Sequence, residues 1–132
     1  MILVDTNVLL DIAEDDPVWA DWSQTHLEAA ARRDEVVINP VIYAEFSVGY
    51  ERIEEVEALL VAVALPVVAL PREALFLAGK VFRDYRRRGG TKAGVLPDFF
   101  IGAHAAVAAM PLLTRDAGRY RTYFPTLDLI TP

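Results

Sequence analysis

Short apolar runs, most of them without a polar face, recur along this chain and alternate with longer stretches of helical periodicity. Ile2-Leu3-Val4, Val36-Val37-Ile38, Val67-Val68-Ala69-Leu70, Leu112-Leu113 and Leu127-Asp128-Leu129-Ile130 read as strands. A strand that is apolar on both faces must be covered on both, which is the condition of a parallel sheet held between helices. The expected fold is α/β, with three α/β/α layers around a central, mainly parallel sheet of four to five strands.

The intervening segments carry helix signals. Asp5-Thr6-Asn7 offers caps for a helix through Ala13, and Pro17 opens a second that runs to Arg33. Asn39-Pro40 caps a helix that carries Glu45 and stops near Gly49, and Ile53 to Ala64 forms the next. A long amphipathic helix starts at Arg72 and ends in basic residues and Gly89-Gly90; Thr91 to Leu96 is a loop. Pro97 and Asp98 begin a nearly all-apolar helix to Ala109, and Asp116 to Tyr123 is a short one. No repeat, linker or low-complexity tract interrupts residues 1–132, which are expected to form one domain.

Composition narrows the chemistry. The chain has 132 residues and no cysteine, so any metal site must use oxygen or imidazole ligands. No leader or membrane span is visible, and a soluble, cytoplasmic protein is expected. The formal net charge of −6 argues against broad electrostatic coating of nucleic acid. The basic residues cluster in Arg83–Lys92 and Arg115–Arg121, however, and a local positive rim can outweigh the total.

Four acids stand where solvation does not easily explain them. Asp5 and Asp116 follow apolar strands, Glu45 lies within Val41-Ile42-Tyr43-Ala44-Glu45-Phe46, and Asp98 opens the most apolar helix. In open α/β sheets the carboxyl ends of the strands form the ligand edge, and helix N-termini face it too. Carboxylates gathered there repel: two at ~4 Å cost about 4 kcal/mol at an effective dielectric near 20. Protons or cations must neutralise them, and an all-oxygen set suits Mg²⁺, with Mn²⁺ as a substitute. Each acid also has a plainer role: Asp5 and Asp98 as helix caps, Asp116 in a turn, Glu45 in an ion pair.

The surroundings of the four acids resemble the PIN-domain family. Asp5-Thr6-Asn7-Val8-Leu9-Leu10-Asp11 is similar to its first block, and Glu45-Phe46-Ser47-Val48-Gly49 to its second. Pro97-Asp98-Phe99-Phe100-Ile101-Gly102-Ala103-His104-Ala105 is similar to the third, and Leu112-Leu113-Thr114-Arg115-Asp116 to the fourth. The blocks stand in the family's order across nearly the whole chain. Two positions depart from it: Gly102 replaces a common alanine, and Arg119 stands where some members carry a further acid, which weakens the hold on a second metal ion.

The resemblance implies a PIN-like fold and a Mg²⁺-dependent endoribonuclease of the VapC toxin type, acting on tRNA or rRNA. Asp5, Glu45, Asp98 and Asp116 would be its metal-binding and catalytic carboxylates. Thr6, Asn7 and Thr114 would orient carboxylates or waters, or serve as caps and turn residues. Arg115 would contact a phosphate or pair with a neighbouring acid. Arg86, Arg87, Arg88 and Lys92 would track RNA, or complement the end of a helix dipole. His26 and His104 are read as surface and packing residues. Trp19 and Trp22, a turn apart, are core residues or part of an antitoxin groove. The resemblance further implies a homodimer, a heterotetramer or larger assembly with a VapB-type antitoxin, and DNA contact only through that antitoxin. The alternative is a PIN-type binding module without catalysis.

Two other classes that place an aspartate after the first strand fail on single positions. A haloacid-dehalogenase-like phosphatase needs an acid where Asn7 stands. A receiver domain needs a phosphorylatable aspartate at a mid-chain strand end, where Val67–Leu70 is followed by Pro71.

Overall fold

A computed structural model describes residues 1–132 throughout. The chain runs β1 (Ile2–Val4), α1 (Thr6–Ala13), α2 (Ala20–Arg33), β2 (Val36–Val37), α3 (Pro40–Ser47), α4 (Ile53–Ala62) and α5 (Arg72–Arg87). A 3₁₀ turn (Ala93–Val95) leads into α6 (Leu96–Val107), β3 (Leu112–Leu113), α7 (Gly118–Tyr123) and β4 (Leu129–Ile130). The strands form one parallel sheet in the order β2-β1-β3-β4. Helices cover both faces of this sheet, giving the expected three layers. No helix is long and apolar enough to cross a membrane.

Local chemistry sets most of the boundaries. Asp5 caps α1 by accepting the Thr6 N–H at 2.8 Å. Asn39 caps α3 by accepting the Ile42 N–H at 2.9 Å, with Pro40 at the first helical position. The expected helix start at Pro17 is instead a turn. Asp16 Oδ1 accepts the N–H groups of Val18 and Trp19 at 2.9 and 2.8 Å, and regular helix begins at Ala20. At the end of α5, Gly89 takes a φ of +88° that a side chain would resist, which closes the helix.

The Val67–Leu70 run does not become a strand. Only Val67 bridges, to Ile38, and the sheet therefore has four strands plus that single contact. The pairing is limited to Ile38, whose N–H donates to Pro66 O at 3.0 Å and whose carbonyl accepts the Val68 N–H at 2.8 Å, and Pro71 ends the run.

The core joins the sheet to α5, α6 and α7 through aromatic rings. Phe99 is fully buried and packs on Tyr123 and Tyr85, with ring centroids 5.1 and 5.6 Å away, and on Phe124 at 6.5 Å. Gly102 faces the Phe124 ring so closely that a Cβ there would collide with it. That is why alanine is absent from this position. The packing fixes the N-terminus of α6 against α7, and so sets where Asp98 stands.

Candidate active site

The carboxyl ends of β1 and β3 deliver Asp5 and the Thr114–Asp116 segment to one edge of the sheet. Glu45 arrives on α3 and Asp98 on the first turn of α6. All four acids line one open pocket of about 370 Å³, together with Thr6, Asn7 and Tyr120, while Leu10 and Val48 supply an apolar wall. The sequence reading placed these acids at one site, and the fold brings them there.

Asp5 is the anchor. Its Oδ2 accepts hydrogen bonds from Thr114 Oγ1 at 2.9 Å, Tyr120 Oη at 3.0 Å and Asn7 Nδ2 at 3.3 Å. Thr114 Oγ1 in turn accepts from the Asp116 N–H at 3.2 Å and from Asn7 Nδ2 at 3.1 Å. Asn7 Oδ1 accepts the Arg115 N–H at 3.2 Å. Thr6 Oγ1 donates to Glu45 Oε1 at 2.7 Å. Thr6, Asn7 and Thr114 thus hold carboxylates in place, and no buried side-chain polar atom is left without a partner.

The electrostatics are those of crowded, partly desolvated acids. Burial pushes the Asp5 carboxyl up to about 6, against the lowering effect of its hydrogen bonds from Thr114 and Tyr120. Burial also raises Glu45, with the charge of Asp98 adding to it. Asp98 is raised by burial and by the nearby Asp116, and partly restrained by Arg119. Burial, then the negative charge of Asp5, hold the Tyr120 hydroxyl well above its usual range. It stays a donor to Asp5.

The basic residues are disposed differently. Arg115 does not line the pocket. Its Nε pairs with the buried Asp11 at 2.7 Å, Ser23 Oγ donates to the same carboxylate at 2.7 Å, and the guanidinium lies 5.5 Å from the Trp19 ring centroid. Of the two roles open to Arg115, the structure fills the ion pair. Trp19 and Trp22 meet edge to face at 6.2 Å, and Trp22 stacks on the half-buried His26 at 4.1 Å. His104 is buried, with Nδ1 3.1 Å from Asn39 Nδ2, and so belongs to the packing.

Arg86, Arg87, Arg88 and Lys92 are exposed and lie outside the pocket. Arg86 rests over Phe82 and Arg88 over Tyr123, while the Lys92 N–H donates to Tyr85 Oη at 3.0 Å.

Tyr120, which lines the pocket, had no assigned role in the sequence, and Arg119 was noted there only as a departure from the family's acids. Tyr120 sits four residues after Asp116, in the short helix that follows it. Arg119 pairs with Asp98 through Nη1. That contact joins residues 21 positions apart, so the sequence marked Arg119 as a departure but not Asp98 as its partner.

No three acidic or imidazole side chains stand close enough to cage an ion. Mg²⁺ needs no such cage, because it keeps several waters and takes one or two carboxylates. The all-oxygen donor set and the mutual repulsion of Asp5, Asp98, Glu45 and Asp116 fit a hard divalent cation.

A parallel α/β sheet with four acids converging at its carboxyl edge defines the class. Within it, the PIN-domain family model matches residues 2–125, so this chain belongs to the PIN-domain family. No curated protein matches the sequence. Among solved structures, the chain is similar to one in VapBC2 from Rickettsia felis bound to a promoter DNA fragment. The TM-score there is 0.77 at 20% identity, covering 100% of this chain and 99% of that one. A toxin–antitoxin complex from Klebsiella pneumoniae gives 0.71 at 21% identity, covering 100% and 98%. VapBC-1 from nontypeable Haemophilus influenzae gives 0.72 at 16%, covering 99% and 98%. At these identities the likeness is one of fold.

Proposed function

We propose that this protein is the toxin of a type II toxin–antitoxin pair and acts as a Mg²⁺-dependent endoribonuclease on structured RNA such as tRNA or rRNA. The observation that carries the reading is the convergence of Asp5, Glu45, Asp98 and Asp116 on one open pocket at the carboxyl edge of a PIN-domain sheet. The similar structures from Rickettsia felis and Klebsiella pneumoniae are toxin–antitoxin complexes, which supports a VapB-type antitoxin as partner. The reading includes a homodimer that grows larger with its antitoxin, and DNA contact through the antitoxin alone, the last in accord with the acidic pI of about 4.8.

Asp5, Glu45, Asp98 and Asp116 would hold the ion, one or two of them directly and the others through its waters. When bound, it supplies an activated water and positive charge for the phosphate. The chain's own contribution is positioning and proton handling. Tyr120 and Thr114 fix Asp5, and Thr6 fixes Glu45 through Oε1. That bond leaves Glu45 Oε2 without a protein partner, and this oxygen would be available to bind the ion or to accept a proton. The exposed Arg86, Arg87, Arg88 and Lys92 supply cations for the RNA backbone outside the pocket.

The test is cleavage of tRNA by protein purified free of antitoxin, in Mg²⁺ or Mn²⁺ against EDTA, with Asp98→Asn prepared identically. Discrete products that need both metal and Asp98 are expected, with at least about a hundredfold loss in the variant. Equal background from both proteins across several RNA classes would favour the binding module without catalysis.

A further inference from the structure

Four carboxylates line the pocket, yet one side-chain cation touches any of them, and that cation is Arg119. It sits in the first turn of α7, beside Tyr120, and the two consecutive residues engage different acids. Tyr120 Oη donates to Asp5, and Arg119 Nη1 pairs with Asp98. The short helix is thereby a clasp across the two acids that arrive from β1 and α6. Tyr120 is almost fully buried and fixed, whereas the Arg119 side chain keeps 35% of its surface exposed. Its guanidinium can therefore move while the helix stays.

We infer that Arg119 is the second cation of this site: a guanidinium that neutralises Asp98 in the resting protein and turns to the scissile phosphate when RNA binds. The inference rests on the metal-dependent nuclease reading above. One divalent ion and one guanidinium together set three positive charges against the four carboxylates. A second divalent ion would have to compete with Arg119 for Asp98. The planar fork of Arg119 suits a phosphate as well as a carboxylate, because both offer paired oxygens at matching spacing. An incoming phosphodiester thus gives the side chain a second anion to pair with. The site would work with a single divalent ion and a built-in positive charge.

The test measures Mn²⁺ binding by calorimetry and electron paramagnetic resonance on the full chain, beside RNA cleavage, in wild type, Arg119→Gln and Arg119→Lys. Circular dichroism checks that each variant is folded. Wild type is expected to bind one Mn²⁺ with no spin-coupled pair signal. Arg119→Gln should bind the first Mn²⁺ about fivefold more tightly, as the competing cation is gone. It should nevertheless cleave more slowly at saturating Mn²⁺. Arg119→Lys should recover part of the rate, since charge returns without the fork. A spin-coupled Mn²⁺ pair in wild type, or the same Mn²⁺ affinity and saturated rate in wild type and Arg119→Gln, would overturn the inference and leave the nuclease reading standing. Mn²⁺ binding to none of the three would overturn the nuclease reading and the inference with it.

Discussion

Asp5 accepts hydrogen bonds from Thr6, Asn7, Thr114 and Tyr120, and each favours its charged form. Burial still outweighs them and lifts the carboxyl to about 6 from 3.8. Between these values the native protein holds a proton that the unfolded chain has released. The native state then binds more protons, so stability falls as pH rises through pH 4 to 6. At about 1.4 kcal/mol per unit the loss is about 3 kcal/mol, complete above pH 6. Urea unfolding of metal-free protein from pH 4 to 8 should show this slope, and Asp5→Asn should flatten it. Equal slopes in the two proteins would mean that Asp5 is not the group responsible. A divalent ion at the site reverses the penalty by stabilising the carboxylate, so metal affinity should weaken as pH drops below 6.

Among the elements, α6 shows how packing overrides what the sequence shows locally. Gly102 costs about 1 kcal/mol of helix propensity relative to alanine. Its value lies across the interface, where the Phe124 ring fills the space a Cβ would take. Gly102→Ala should therefore destabilise the fold by about 1 kcal/mol net, as overpacking of roughly 1–3 kcal/mol exceeds the gain in propensity. Thermal unfolding would measure it, and an unchanged or raised Tm would show that Phe124 moves aside freely. The ends of α4 and α6 carry a related lesson. Ala64 and Ala109 take φ values of +54° and +53°, and the next N–H groups reach back to Leu60 and Ala105 at 2.9 Å. These are helix-closing geometries that glycine usually signals. With alanine there, the expected ends fell two residues late.

On the scale of the whole molecule, the sheet gathers the site. β1 is central, hydrogen-bonded to β2 on one side and β3 on the other, and it is buried throughout. Its carboxyl end carries Asp5, so the most rigid strand holds the most constrained acid. Hydrogen exchange should find the Leu3 and Asp5 amides, which donate to Pro111 and Leu113 at 2.9 Å, among the slowest in the chain. Fast exchange there, matching that of the amide of exposed Thr91, would contradict a rigid β1. The aromatic contacts among Tyr85, Phe99 and Tyr123 then tie α5, α6 and α7 to this frame.

Much of this was legible beforehand because its causes are local. Apolar runs such as Ile2–Val4 imply buried parallel strands, and Asp5, Asn39-Pro40 and Gly89 mark helix ends through their own backbone chemistry. The four acids stood out by their apolar surroundings, and their grouping as one site came from the resemblance of the four ordered blocks to the PIN-domain family. Tertiary structure alone decided what depends on distant neighbours. It turned Val67–Leu70 from a strand into a single bridge, and gave Arg115 to Asp11 instead of the pocket. It also set Arg119 on Asp98 and Phe124 against Gly102. Caps and periodicity act over a few residues, whereas ion pairs and ring packing depend on where whole helices come to rest.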